Sequence, residues 1–287
     1  MIADQITPFV FDALPVRGTL IRLSRAWRRM LRDHRYDEVV RETLGHAAAA
    51  TGLIAQSMKF DGAITLQIQG EGNLHMLVMQ CTSELEVRGM ASFNEDGGAR
   101  NFGELMRNAH CAITVDTGDR PYQGIVEIEQ SSLGASLQNY FARSVQVPSH
   151  VMLVSDASLS GGILLQQMPG QSELDEDDWN RLGFIAATLR TGDFGNGDNM
   201  ELIGKLFAED DVRVFESKPV VFRCRCSRRR AEEVLRMLGE EETVEAVAEQ
   251  GIVDVTCEYC GRRRSFDPID ISRLFADNVV SGPDSVQ

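Results

Sequence analysis

The stretch FRCRCSRRRAEEVLRMLGEEETVEAVAEQGIVDVTCEYCGRRRSF, residues 222–266, carries four of the six cysteines in the chain. They form two close pairs, Cys224 with Cys226 and Cys257 with Cys260, and thirty residues separate the pairs. Structural Zn²⁺ sites favour four thiolates in a tetrahedron, and two short-spaced pairs supply two of its edges. The pattern therefore predicts a Cys₄ site that binds one Zn²⁺ per chain, with C-x-C in place of the ordinary C-x-x-C in the first pair.

Four protein thiolates would fill the coordination shell, whereas a hydrolytic zinc site needs an open position for water. The five histidines are scattered along the chain, and none has the spacing of a zincin motif. The sequence therefore predicts a protein without catalytic residues. Cys81 and Cys111 lie in apolar runs typical of strands, so we expect buried thiols there rather than metal ligands.

The surroundings of the cysteines leave two further interpretations open. A thiol-disulfide oxidoreductase would use CEYC as its redox pair, although GRRRSFDP is a poor start for the long helix that follows such a pair. The arginine runs 228–230 and 262–264 indicate either a solvated face or guanidinium groups that stabilise thiolates. They also allow a zinc-ribbon-like module that binds nucleic acid.

The composition argues against nucleic-acid binding by the whole protein. The chain has 287 residues and a net charge of −14, which lies almost wholly on residues 1–217 and would repel a phosphate backbone. We see neither a secretory signal nor an apolar run long enough for a membrane span. We therefore expect a cytoplasmic protein that binds neither nucleic acid nor membranes, in a compartment where paired cysteines bind metal or act in redox chemistry.

The order of periodic segments predicts an α+β fold with a large antiparallel sheet, packed helices, a helical linker and a small C-terminal Cys₄ zinc module. Alternating runs such as GAITLQIQG, LHMLVMQC and SELEVRGMASF read as an antiparallel meander. The acidic stretch PGQSELDEDD marks a boundary before two short amphipathic helices. We predict a core domain at 1–168, a helical linker at 169–217 and a small zinc-binding domain at 218–287.

At this point the sequence resembles a known family, the thirty-three-kilodalton heat-shock proteins, which are bacterial redox-regulated chaperones. The two cysteine pairs carry the resemblance, together with KFDGAITLQIQGEGNL at 59–74, YQGIVEIEQSSLGASLQNYFARSVQVPS at 122–149 and GGILLQQMP at 161–169. Arg264 stands near the place where the family usually has an aromatic residue, and Val145 stands where an acidic residue is common.

The resemblance implies a holdase chaperone that works without ATP. Its zinc-bound reduced form is inactive, and oxidation forms disulfides, releases zinc and exposes a hydrophobic surface to unfolded or partly folded client proteins. The resemblance also implies a homodimer in the oxidised form. The residues expected at the client surface are apolar side chains of the two linker helices, namely Trp179, Leu182, Phe184, Ile185, Leu202, Ile203 and Phe207.

Four cysteines allow three pairings after oxidation. Once zinc leaves, short loops close at the lowest entropy cost. We therefore predict redox disulfides that join Cys224 with Cys226 and Cys257 with Cys260.

Overall fold

A computed structural model describes residues 3–94, 98–118, 121–170, 174–195 and 197–276. They form two compact units that divide between Arg223 and Cys224. The predicted fold class is confirmed, because both units mix helices with antiparallel strands. The segments predicted from the sequence, 1–168, 169–217 and 218–287, remain a prediction about which parts act independently.

The strands of the described residues are, in chain order, β1 (Gln5–Phe11), β2 (Val16–Leu23), β3 (Ala63–Gly70), β4 (Leu74–Thr82), β5 (Glu86–Phe93), β6 (Ala109–Asp116), β7 (Tyr122–Val126), β8 (Ser149–Ser155), β9 (Ser160–Gln167), β10 (Val212–Val214), β11 (Lys218–Pro219), β12 (Val221–Phe222), β13 (Val253–Thr256) and β14 (Arg263–Phe266).

The α-helices of the same residues are α1 (Arg25–Leu31), α2 (Glu38–Ser57), α3 (Phe102–Leu105), α4 (Leu133–Tyr140), α5 (Glu176–Ala187), α6 (Asn199–Leu206), α7 (Arg228–Leu238), α8 (Glu240–Gln250) and α9 (Pro268–Ala276). A π-helical turn, Phe141–Val145, continues α4, and a 3₁₀ turn, Thr191–Phe194, precedes α6. Within the described ranges, no helix combines the length and apolarity needed to cross a bilayer.

The first unit contains two six-stranded sheets where the sequence predicted one large sheet. The first has the order β10-β1-β2-β9-β8, with β11 also paired to β1, and the second has the order β12-β5-β4-β3-β6-β7. The predicted meander is confirmed as β3, β4 and β5, with Leu66 opposite Met79 and Val78 opposite Met90. Every pair is antiparallel except β12 with β5.

Helix α2 contacts strands of both sheets. Thirteen of its twenty residues are buried, including the run Ala47–Ala50, so the helix has apolar contacts nearly all round. Small residues allow this close approach, since a Cβ built on Gly45 would lie 1.9 Å from Ser155 Oγ and one on Gly52 would lie 2.4 Å from Ile21 Cδ1. The Ala-rich composition of α2 thus follows from the narrow space it occupies.

The first sheet is buried on both faces. Ile21 of β2 and Leu164 of β9 face the core that contains α2. Their neighbours Leu20 and Leu165 point to the opposite face, where they join a second apolar cluster with α5 and α6. Seven of the eight residues of β9 are buried, and because the faces alternate along each strand, β9 contributes to two cores at once. Helices α5 and α6 are therefore an outer layer on this sheet.

Two buried polar side chains anchor the segment that joins α5 to α6. Arg22 of β2, only 2% exposed, donates to the carbonyl oxygen of Gly197 over 2.7 Å and also to that of Phe194. Asn199, fully buried, donates through Nδ2 to Thr7 Oγ1 over 3.1 Å. Desolvation lowers the pKa of Arg22, while Asp198 and Asp4 oppose that change. The outer layer is thus held by polar bonds as well as by apolar packing.

The second unit is small. Helices α7, α8 and α9 pack with the hairpin of β13 and β14. Its cluster of buried apolar residues among the described positions has seven members: Ala231, Leu235, Val247, Phe266, Ile271, Leu274 and Phe275. Several apolar side chains of the unit are exposed, Met237 by 80% among them. A core of this size gives limited stability by itself.

Helix α9 and strand β14 were not predicted from the sequence. The signal for α9 was present, because Asp267 precedes Pro268 and its carboxylate accepts from the backbone N–H of Asp270 over 2.8 Å. An Asp cap followed by Pro at the first helical position is a typical helix start. Strand β14 has the sequence RRSF, and its arginines do not give the apolar alternation from which a strand is predicted.

Substitution of Gly45 tests the packing of α2. Gly45→Val should lower the free energy of unfolding of the first unit by about 1–3 kcal/mol, because the added side chain overlaps Ser155. Gly204→Ala in α6 is the control, since no heavy atom lies within 4 Å of a Cβ there, and it should leave stability unchanged or raise it by up to about 1 kcal/mol. Urea unfolding followed by tryptophan fluorescence measures both, because Trp27 and Trp179 lie in this unit.

Candidate metal centre

Two short segments of the second unit bring the four predicted ligands together. Cys224 and Cys226 lie in the extended segment before α7. Ser227 caps the first turn of α7, because its hydroxyl oxygen accepts a hydrogen bond from the backbone N–H of Arg230. Cys257 and Cys260 lie in the turn between β13 and β14. The thirty residues between the pairs form α7, α8 and β13, which return the chain to its starting point.

The turn at the second pair is fixed by backbone hydrogen bonds. The N–H of Gly261 donates to the carbonyl of Cys257 over 2.8 Å, and the N–H of Cys257 donates to the carbonyl of Arg262 over 3.0 Å. Gly261 has φ = +63°, a left-handed conformation that favours glycine. The sequence C-x-x-C-G therefore holds both sulfurs on the same side of the turn.

The sulfur atoms are close enough to share one ion. Cys224 Sγ lies 3.6 Å from Cys257 Sγ, and Cys226 Sγ lies 3.5 Å from Cys260 Sγ. All four sulfurs lie within 4.8 Å of one another, and all four cysteines are free thiols. A tetrahedral ion with bonds of about 2.3 Å places its sulfur ligands about 3.8 Å apart. The four cysteines can therefore hold a metal ion.

The protein surroundings of Cys224 favour its thiol over its thiolate. Burial, with contributions from the other cysteines, raises the pKa of Cys224 to about 12. Four adjacent thiolates would also repel one another, so a bound dication is needed to hold the charged ligands together. Metal binding must therefore displace protons, and metal affinity should rise with pH near neutrality.

Several arginines beside the site are engaged in ion pairs. Arg228 lies 2.8 Å from Asp270 and its guanidinium stacks over the Phe266 ring at 4.5 Å. Arg229 pairs with Glu233, and Arg263 pairs with Asp254. Arg230 donates to the carbonyl of Arg225 over 2.9 Å. These contacts tie α7, α9 and the hairpin together, so a structural role accounts for most of the basic residues.

The other two cysteines lie in the first unit. Cys81 of β4 and Cys111 of β6 are buried, and desolvation raises the pKa of each to about 12. Thiols with so high a pKa react slowly with oxidants. Their positions in the strands of the second sheet agree with the expectation of buried core thiols.

The predicted client-binding residues lie on α5 and α6 but differ in exposure. Phe184 is 74% exposed, and Trp179 and Ile185 are half-buried. The remaining four pack against the first sheet, as a group comprising Leu182, Leu202, Ile203 and Phe207. Sequence periodicity located the apolar face of each helix but not the sheet that covers it. Their role in client binding remains a prediction.

Residues 4–267 match the family model described as "Hsp33 protein". The chain belongs to the Hsp33 family. The match confirms the resemblance found in the sequence, and the matched residues lie in both units.

Relatives of similar length agree with this assignment. The 33 kDa chaperonin of Nitrosococcus oceani is 40% identical, with 96% of each chain covered. That of Methylobacillus flagellatus is 38% identical, with 97% of each chain covered. The crystal structure of the 33 kDa chaperonin from Thermotoga maritima has a TM-score of 0.78 at 22% identity and covers 96% of this chain and 99% of its own. The family and these names support a chaperone, and the solved structure supports the fold.

Metal content tests the ligand set. Cys81→Ala combined with Cys111→Ala should leave one ion per chain, whereas Cys257→Ser should reduce the content well below one, because only the four clustered sulfurs lie close enough to share an ion among the described residues. Elemental analysis of protein purified under reducing conditions gives the stoichiometry. Loss of metal from the double variant would contradict the assignment.

Proposed function

We propose that this protein is a redox-regulated holdase chaperone that binds one Zn²⁺ through Cys224, Cys226, Cys257 and Cys260. In this proposal the reduced zinc-bound form is inactive, and oxidation activates it without ATP. The observation that carries the proposal is the cluster of four free thiols within 4.8 Å, in a unit whose described core has seven apolar residues. Because the ligands are also the oxidisable groups, loss of metal and loss of structure are linked.

Zinc fits this donor set better than other common ions. Four thiolates favour soft or borderline ions over Mg²⁺ or Ca²⁺, which prefer oxygen ligands. Zn²⁺ has no redox chemistry of its own, so any electrons given to an oxidant come from sulfur. The closed shell leaves no position for a hydrolytic water, in keeping with a protein that is not an enzyme.

The metal supplies much of the stability of the second unit. Structural zinc contributes on the order of 10–16 kcal/mol in small zinc domains. The apolar cluster from Ala231 to Phe275 is too small to replace that contribution. The proposal therefore requires the second unit to unfold when its ligands are oxidised.

Oxidation of each cysteine pair transfers two electrons. Two thiolates form one S–S bond, and one hydrogen peroxide accepts the two electrons and two protons to give two molecules of water. In the folded site Cys224 lies close to Cys257 and Cys226 lies close to Cys260, with sulfur distances of 3.6 Å and 3.5 Å. In the unfolded segment, however, loop length decides, so the proposed disulfides are Cys224–Cys226 and Cys257–Cys260.

The proposed client surface is the outer layer formed by α5 and α6. Phe184 is already exposed, and Trp179 and Ile185 are partly so. The buried members of the predicted set would add to this surface as the layer loosens. Burial of each large apolar side chain contributes about 1.5–3 kcal/mol, so complete release needs more than thermal motion. The partners are unfolded or partly folded proteins, and the active form is proposed to be a cytoplasmic homodimer, as the family resemblance implies.

Other functions have weaker support. A nucleic-acid-binding module needs available basic groups, but Arg228, Arg229 and Arg263 are paired with carboxylates. A thiol-disulfide oxidoreductase of the thioredoxin type needs a helix after CEYC, whereas β14 follows it. A steep salt dependence of RNA binding, or catalytic turnover of a disulfide substrate, would favour one of these alternatives.

Zinc content and aggregation of a heat-denatured model protein, measured before and after peroxide, test the proposal. We expect one zinc and little suppression of aggregation in the reduced protein. After oxidation we expect zinc release together with strong suppression that needs no ATP. Zinc release with no gain in suppression would contradict the switch.

Replacing Cys257 and Cys260 together by Ser distinguishes a zinc site that acts as a redox switch from one that is purely structural. If zinc restrains the protein, this variant should suppress aggregation even under reducing conditions, because the second unit loses its main source of stability. Hydrogen exchange should be faster across 224–276 while β3 and β4 remain protected. A variant that unfolds there and gains no activity would leave zinc with a structural role only.

Phe184 allows a test of the client surface without a change in the core. Phe184→Ser should weaken client binding by oxidised protein several-fold while changing the free energy of unfolding by less than about 0.5 kcal/mol, because the side chain is 74% exposed. Ile125→Ser is the matched control, since Ile125 is 69% exposed on β7 of the second sheet. Equal effects of the two substitutions would remove α5 from the proposed surface.

A further inference from the structure

One short segment closes an edge of both large sheets. We call residues 211–223 the strap; it contains β10, β11 and β12 and lies between α6 and the first cysteine of the metal centre. Strands β10 and β11 pair with β1, at the edge of the first sheet. Strand β12 pairs with β5, at the edge of the second sheet. Without the strap, β1 and β5 would be edge strands with unpaired backbone groups.

The strap follows β1 along its whole length. The N–H of Asp12 donates to the carbonyl of Asp211 over 2.9 Å, and the N–H of Phe215 donates to the carbonyl of Pro8 over 2.9 Å. At the other end, the N–H of Val220 donates to the carbonyl of Asp4 over 3.0 Å. Pro8 has no N–H to offer this edge, as is typical of edge strands.

The contact with β5 is shorter. The N–H of Val221 donates to the carbonyl of Leu85, and the N–H of Arg223 donates to that of Val87, both over 3.1 Å. Arg223 also pairs with the carboxylate of Glu86 over 2.5 Å. Arg223 is followed directly by Cys224, so the last residue bonded to this edge is adjacent to a metal ligand.

Side chains supply part of the attachment, since half-buried Val212 and Val214 pack against the outer apolar cluster and Phe222 packs against the cluster that contains α2. Val220 is buried, whereas Phe215 and Val221 are 45% and 47% exposed. The rest of the attachment consists of backbone hydrogen bonds and of ion pairs at Asp12 and Glu86. Backbone bonds of this kind are available to any extended polypeptide, whatever its sequence.

We propose that the edges of β1 and β5 are a second client-binding surface, which takes up extended segments of unfolded proteins by strand addition once the strap detaches. This inference rests on the proposed chaperone function and adds a partner chemistry to it, namely the backbone of an unfolded chain. The strap shows how such a segment would lie, because it occupies the same edge through the same groups. Strand addition gives affinity through main-chain bonds and little sequence preference, as a holdase requires.

Hydrogen exchange at single amides tests the site directly. In peroxide-activated protein we expect faster exchange at the edge amide of Asp12 and at the strap amides, which are those of Phe215, Val220, Val221 and Arg223. Addition of reduced, carboxymethylated α-lactalbumin, which stays unfolded, should slow exchange at Asp12 while the strap amides remain fast. Persistent protection of Asp12 on activation, or fast exchange there with the client bound, would overturn the proposal.

Matched variants test the surface in zinc-bound, reduced protein, independently of the redox switch. Phe215→Pro with Val221→Pro removes one donor to each sheet, while Phe215→Ala with Val221→Ala makes a similar side-chain change and keeps both donors. The proline variant should bind the unfolded α-lactalbumin at least about tenfold more tightly, the factor that corresponds to one net hydrogen bond.

Equal affinity of the proline and alanine variants would overturn strand addition and leave the redox switch intact. A stable dimer of the proline variant, with Asp12 protected before any client is added, would show that a second copy takes the edge and would also overturn it. If tryptophan fluorescence shows that the proline variant is unfolded, exchange at Asp12 in oxidised wild-type protein decides the question.

Discussion

The four sulfurs of the metal centre can remain together as thiolates only while a cation lies between them. Burial favours the protonated form of Cys224, and neighbouring thiolates 3.5–3.6 Å apart would repel one another. In the proposed zinc-bound form, the second unit depends on this site because its described apolar cluster is small. A change in the sulfur atoms therefore acts on the whole unit, and the same chemistry in a large domain would have only a local effect.

The docking of α5 and α6 combines apolar burial with polar anchoring that is incomplete. Arg22 and Asn199 hold the segment between the helices against β1 and β2, yet Arg22 Nε and Asn199 Oδ1 have no hydrogen-bond partner in the part of the chain that is described. Each unsatisfied buried group costs about 1–3 kcal/mol. Such an arrangement specifies one position for the layer without giving the greatest possible stability, which is consistent with the proposed release of this layer.

Local signals in the sequence were sufficient to single out the four cysteines that lie together and to locate most strands. The cysteine spacing and the Gly after Cys260 are short-range features, and the hairpins follow from alternation over a few residues. Long-range pairing could not be predicted in this way. Leu182 is buried because it packs in the same cluster as Ile163 and Leu165 of β9. The sequence of β9 does not indicate which helix covers each face of the sheet, so this burial could not be predicted. The strands divide into two sheets that both contact α2. The small residues of α2 allow this close packing, but they do not predict it from the sequence.

The order of segments along the chain gives the strap a particular position. The chain passes from α5 and α6 to the edge-closing strands β10 to β12 and then to Cys224. Arg223, the last residue of the strap, is directly followed by this first cysteine. Unfolding of the second unit frees one end of the strap and leaves its short strands to hold alone. Strands of two residues are marginal without neighbours or buried side chains, and only Val220 of the strap is buried. In the proposed switch, the edges of β1 and β5 would thus be the next parts of the fold to lose their partner after metal release.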